Sequence, residues 1–423
     1  MKEMRATCAV LGLLALVACI PNRSYRVQNP VSLNEQPPSY CPAGDAHYAL
    51  SFIEFDDMGE LWDPKELDAA IQTIQKEKDN SPLVLLFVHG WKNDASDKSG
   101  NVWGFRCELG AIAQRYNRTV IGIYVGWRGA VTDVTLFKDF TFWNRITAAT
   151  RIPGAHLTDS LMRIMAETKG PDGSRDATLI LVGHSFGGLV LERSVTQALV
   201  ERIDDAERRQ GSHEVQFPAD LVVFLNEAGP ALQAKQLLDI MYRKHAQFSR
   251  PDGRPHPFLL SMTSKGDTAT HLAFPGGQAL SLFKTSLRSY PPGGDEFGVT
   301  NQKSYYLHTA ANTEALQSHV IGLDSDPDVR AAKENGTTYA SVLVDGKTFY
   351  VAPKKAAKNT TPYWIMQMPV EIVPDHTTIF RPEFEALLIA FLEQRPDMML
   401  RGRARPAGIT VPAPPTLKLN ITQ

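Results

Sequence analysis

The chain has 423 residues and a mass of 46.8 kDa, enough for one large domain with insertions or for two domains. Lys and Arg total 44 against 46 Asp and Glu, so no strong positive field marks a nucleic-acid partner. None of the Cys and His residues is grouped at metal-ligand spacing, which leaves no metal to expect.

In chain order, the first feature is an export signal. Lys2 and Arg5 supply charge, and Ala6 to Ala18 is apolar, too short to span a bilayer and suited to a signal-peptide core. Leu16-Val17-Ala18-Cys19 resembles the lipobox of bacterial lipoproteins. That resemblance implies that residues 1–18 are removed, that Cys19 is acylated, and that the chain sits in the bacterial cell envelope on a lipid anchor. A plain secretory signal is the alternative. Cys8 then leaves with the leader, and Cys41 and Cys107 remain in an oxidising compartment, either as a disulfide or as two thiols.

Residues 19–45, rich in Pro, Asn and Ser, read as a tether. A strand is expected from His47 to Phe55, with Tyr48, Leu50 and Phe52 on one face. Asp63 as N-cap and Pro64 at the first helical position open a helix to about Lys78. The continuous apolar runs Leu83–Val88, Val120–Val125, Ala177–Val182, Leu221–Leu225 and Phe258–Met262 suit strands buried on both faces of a parallel sheet. Helices are expected over Val102–Tyr116, His156–Lys169, Gly188–Arg208 and Pro382–Gln394, and a short last strand over Glu371–Val373. The alternation predicts an α/β fold, a mainly parallel sheet with helices on both faces, over residues 46–400. Two stretches break it, about 129–155, which holds Phe137, Phe140, Phe142 and Trp143, and about 276–365, which holds a hairpin around Asp345-Gly346. Both read as insertions over the top of the sheet that form a cap. Residues 401–423, rich in Pro and Arg, read as a disordered tail. Trp103, Trp127 and Trp143 are expected to pack in the core rather than line a pocket.

Four signals carry chemistry. Gly183-His184-Ser185-Phe186-Gly187 is a G-x-S-x-G between a buried strand and an amphipathic helix, the setting of a nucleophile elbow. His89-Gly90-Trp91 directly follows the run Leu83–Val88, and His89 itself reads as structural. Asp267 follows the strand Phe258–Met262 and can orient a histidine, with Glu227 as the alternative acid. His376 lies between the last strand and the last helix, and His308 and His319 are weaker candidates for the base. The order Ser185, Asp267, His376 is nucleophile, acid, histidine.

On these residues the chain resembles the α/β-hydrolase superfamily, esterase and lipase branch, over about residues 80–395. Tyr124 to Gly129 also looks like a group of bacterial hydrolases. The resemblance implies an oxyanion hole from the backbone amides of Trp91 and Phe186 and an acyl-enzyme on Ser185. It implies no cofactor, and a small-molecule or lipid ester as substrate. An acyltransferase or peptidase on the same three residues remains open, as does an inactive binding lipoprotein.

Overall fold

Strands buried on both faces carry no polar side to turn to water, so they must be covered twice. The computed structural model shows how, describing residues 22–393 apart from 40, 42–45, 116–117, 131–141, 171–176, 210–214, 216, 247–256 and 283–284. The leader, Cys19, Phe137, Phe140 and the tail from Arg401 lie outside the described residues.

The main sheet is built from β1 (Val31–Glu35), β2 (Tyr48–Phe55), β3 (Leu83–Val88), β4 (Val120–Trp127), β5 (Thr178–His184), β6 (Leu221–Leu225) and β7 (Leu259–Ser264). After the small-sheet strands β8 (His319–Gly322), β9 (Ala340–Val344) and β10 (Lys347–Pro353), it is completed by β11 (Tyr363–Met368). The strand order is β1-β2-β4-β3-β5-β6-β7-β11, antiparallel between β1 and β2 and parallel elsewhere. Alternate residues of each strand enter separate cores. Val84, Leu86 and Val88 pack with α1 (Pro64–Glu77), α4 (Ala155–Lys169), α5 (Phe186–Arg208) and α6 (Ala231–Arg243) on one face. Leu83, Leu85 and Phe87 pack with α2 (Gly100–Arg115) and α10 (Pro382–Glu393) on the other. Asp63 caps α1 through the Lys65 amide, with Pro64 in the first turn, as expected.

Several expectations are corrected. The last strand is Tyr363–Met368, not Glu371–Val373, which is a turn. The whole run from Tyr363 to Val373 is apolar enough for a strand, but Pro369 has no N–H to continue the ladder. Residues 19–45 are not only a tether, because β1 pairs with β2 and Glu54 grips the arm before it. The Glu54 carboxylate accepts the Tyr25 and Arg26 amides at 2.7 Å each. The hairpin forms as read, with Asp345 and Gly346 both at positive φ in the manner of a type I′ turn. Its small sheet, however, does not lie over the top. Val342, Val344, Phe349 and Val351 join the core on the α10 side, beside Trp364 of β11. Of the three tryptophans assigned to the core, Trp127 is buried, but Trp103 and Trp143 are exposed.

Cys41 and Cys107 form a disulfide that ties the N-terminal arm to α2 across 66 residues. Closing a loop of that length restricts the unfolded chain by about 4 kcal/mol in the chain-entropy model. The double variant Cys41→Ser, Cys107→Ser is therefore expected to lose about that much stability in urea unfolding. Reducing the wild type should give the same loss, and a change below about 1 kcal/mol would contradict the account.

The sheet also says where a site belongs. From β3 the chain moves outward to β4, then crosses back over β3 to β5 and proceeds the other way. That reversal falls between β3 and β5, and open α/β sheets bind ligands beyond the carboxyl ends of the strands at such a point.

Candidate active site

The residue that ends β5 and the residue that opens α5 meet at Ser185, with φ 57° and ψ −123°. A side chain at positive φ is strained and is held only where the surroundings over-determine it. Here the Ser185 amide donates to the Leu225 carbonyl at 3.0 Å, and the Ser185 carbonyl accepts from Gly188 and Ala228. The turn is clamped from β6 on one side and from α5 on the other. Ser185 thus stands at the sheet's carboxyl edge, at the start of α5, where the helix dipole favours negative charge.

The His89-Gly90-Trp91 loop presses against it. A Cβ on Gly90 would lie 2.7 Å from the Ser185 Cβ and 2.9 Å from the His184 carbonyl oxygen, so only glycine lets the loop approach this closely. His89 is structural, as its position suggested. Its Nδ1–H donates to the Gly90 carbonyl at 2.9 Å, its Nε2 accepts the Trp127 amide at 3.0 Å, and its ring stacks on Trp127. Trp91 and Phe186 lie side by side with ring centroids 6.2 Å apart, and Phe142 covers both at 5.6 and 5.3 Å. Phe142 begins α3 (Phe142–Arg151), so the described part of the aromatic insertion packs against Trp91 and Phe186.

The loops after β7 and β11 supply the remaining groups. A Cβ on Gly266 would sit 2.0 Å from the Pro374 carbonyl oxygen, and Ser264 Oγ donates to the Val373 carbonyl. These contacts bring the Asp267 and His376 loops together. Ser185 Oγ–H donates to His376 Nε2 at 2.8 Å, and His376 Nδ1–H donates to Asp267 Oδ2 at 2.8 Å. Asp267 also accepts the Thr270 amide at 3.1 Å. Burial raises the Asp267 carboxyl, but the hydrogen bonds from His376 and Thr270 outweigh it and hold the group below the ordinary aspartate value.

The structure separates the candidates that the sequence left open. Glu227 does not face His376. Its side chain packs against Gly188 and Gly229, and burial beside Glu192 pushes its carboxyl well up. His308 Nδ1–H is taken by the Ser304 carbonyl, and His319 stacks on Trp364 with centroids 3.6 Å apart.

Two residues hold the histidine loop. His184 Nε2–H donates to the His376 carbonyl at 2.7 Å, and Asn226 Nδ2 reaches the carbonyls of Asp375 and His376 at 3.0 and 3.2 Å. Asn226 also accepts the Ser264 amide at 2.8 Å, so one amide side chain bonds the end of β7 to the loop after β11. Sequence reading named His184 as part of the elbow and missed Asn226. The available signal was an asparagine straight after a buried strand, where its tolerance of positive φ is useful; it stands at φ 47°.

Burial lowers His89 to about 4, and burial together with the neighbouring His376 lowers His184 to about 3. Between those values and the ordinary 6.5, the unfolded chain binds protons that these folded rings refuse. Their contribution to stability is thus present above pH 6.5 and is lost as the pH falls toward 4 for His89 and toward 3 for His184. Urea unfolding across that range is expected to show His184→Gln flattening the loss by about one proton. An unchanged slope would mean that the folded ring is charged.

No protein-family model matches the chain, and no curated protein matches it. Among solved structures it is similar to phospholipase PlaB from Legionella pneumophila in complex with thio-NAD, at 14% identity and a TM-score of 0.26. That match covers 65% of this chain and 50% of the phospholipase, half of its length. A likeness at this level carries no argument about function, which therefore rests on the geometry of the site.

Proposed function

We propose that this chain is a serine hydrolase of the α/β-hydrolase type that cleaves carboxylic esters. Ser185 is the nucleophile, His376 the general base and acid, and Asp267 the group that orients the imidazole. One observation carries the reading. Three side chains 191 and 109 positions apart form an unbroken hydrogen-bond line, and the serine at its end is strained. A passive turn has no physical need of that arrangement.

Ser185 Oγ attacks the ester carbonyl while its proton passes to His376 Nε2. Asp267 holds Nδ1–H, fixes the tautomer and stabilises the imidazolium. The tetrahedral oxyanion is received by the Trp91 and Phe186 amides, of which the second opens α5 and has no acceptor within its own helix. His376 then protonates the departing alcohol. Water attacks the acyl-enzyme with His376 as base again, which returns Ser185. These steps draw on side chains and backbone amides alone. The aromatic wall of Trp91, Phe142 and Phe186 suits the acyl part of a small-molecule or lipid ester. On the same reading Cys19 is acylated and holds the enzyme in the bacterial cell envelope.

The test is turnover of p-nitrophenyl esters of graded chain length, with Asp267→Asn beside the wild type. Wild type is expected to hydrolyse at least the short esters, and Asp267→Asn to lower kcat about 10⁴-fold by leaving the imidazole in the wrong tautomer. A folded wild type that cleaves none of them contradicts the proposal.

A further inference from the structure

We propose that the carboxyl-end edge of the main sheet, where Ser185 stands, docks on the surface of a lipid bilayer. Ten large ones are exposed among the described residues, and all but Leu33 and Tyr242 lie on segments at this edge. Met58 and Trp62 follow β2, Trp143 lies in the first turn of α3, Leu272 lies in the helical turn Ala269–Ala273 past Asp267, and Val370 follows β11. Leu280 is on α7 (Phe274–Ser281), whose Gly277 abuts Phe142 and Trp143. Leu272 and Leu280 are 72% and 64% exposed. Scattered surface apolars need no explanation, but eight of ten on the one edge that carries Ser185 mark an interaction face.

Two observations favour a bilayer over a protein partner. The three exposed tryptophans, Trp62, Trp103 and Trp143, all belong to this edge, and amphipathic indoles favour the boundary between lipid and water. The N-terminal arm also reaches the protein here. Ser24, Tyr25 and Arg26 are held by Glu54 near the carboxyl end of β2, and β1 leads away from that edge. Cys19, acylated on the lipid-anchor reading, stands three positions before Asn22, the first described residue. This last point rests on the lipid-anchor reading. The distribution of exposed side chains does not.

Full chain reconstituted into phosphatidylcholine vesicles with brominated acyl chains tests the docking without needing turnover. Three of the six tryptophans are on the edge, so emission is expected to fall about twofold relative to unbrominated vesicles. Leu272→Glu, Leu280→Glu should abolish most of that quenching. Should this double variant fail to fold, Met58→Glu, Trp62→Glu serves the same purpose. Absence of quenching, or equal quenching in a folded double variant, overturns the proposal. So does a concentration-dependent dimer that the double variant dissolves, because the edge then meets a second copy. If esters are not hydrolysed but quenching is seen, the hydrolase reading fails and the docking stands.

Discussion

Ser185→Ala is expected to lower kcat for ester hydrolysis about 10⁵-fold, while the protein melts within a few degrees of the wild type. On the proposed mechanism Ser185 takes part in both half-reactions, so nothing substitutes for it, and the residual rate would come from the oxyanion amides and substrate binding. The substitution removes one hydroxyl whose single described side-chain hydrogen bond is to His376. His376→Ala should cost a similar factor, and the double variant should be little worse than either single one, because the groups act as a unit. Ser185→Gly separates catalysis from folding further. Glycine accepts φ 57° without strain, so this variant should be as dead as the alanine yet more stable by about 1 kcal/mol. Steady-state kinetics and urea unfolding on the same preparations check all four. A loss of only tenfold in Ser185→Ala would mean that another group attacks the substrate.

Gly187→Ala is expected to destabilise the fold by about 3 kcal/mol or more. The added Cβ would lie 2.2 Å from the Val88 carbonyl oxygen and 2.5 Å from that of His89. Both atoms are backbone at the end of the central strand β3, and neither can move without shifting the Gly90-Trp91 loop beside Ser185. Activity per folded molecule should therefore fall too. Gly276 supplies the control, being a helical glycine in α7 where an added methyl group would meet nothing within 4 Å. Gly276→Ala should be neutral or stabilising by up to about 1 kcal/mol, as helix propensity dictates. Comparable effects at the two glycines in urea unfolding would contradict the packing described.

The parts of this structure that were legible in the sequence are those where local pattern and tertiary environment agree. Leu83–Val88 and Leu221–Leu225 read as strands buried on both faces and are so, because no polar residue offers another arrangement. The Ser185 turn was legible because strand, glycines and helix are contiguous. The line from Ser185 through His376 to Asp267 could be expected in order but not in geometry, since the close approach of Gly266 to Pro374 is a tertiary fact. β1 was missed because a five-residue edge strand takes its stability from its neighbour β2 and from the Glu54 grip on the preceding arm, neither of which is local. The same holds for Asn226, whose value lies in the carbonyls of a loop 149 and 150 positions away. The small sheet was placed over the top because a long break in the alternation says that chain is inserted, not which face will bury its apolar side.

The most direct test of the central claim is labelling of the full chain with a fluorophosphonate, followed by mass spectrometry of the modified peptide. An unactivated serine reacts negligibly, whereas one whose proton is taken by a positioned imidazole forms a stable adduct. The account predicts a single adduct on Ser185, absent in Ser185→Ala and in His376→Ala. A folded wild type that takes up no label, or takes it up on another serine, would contradict it.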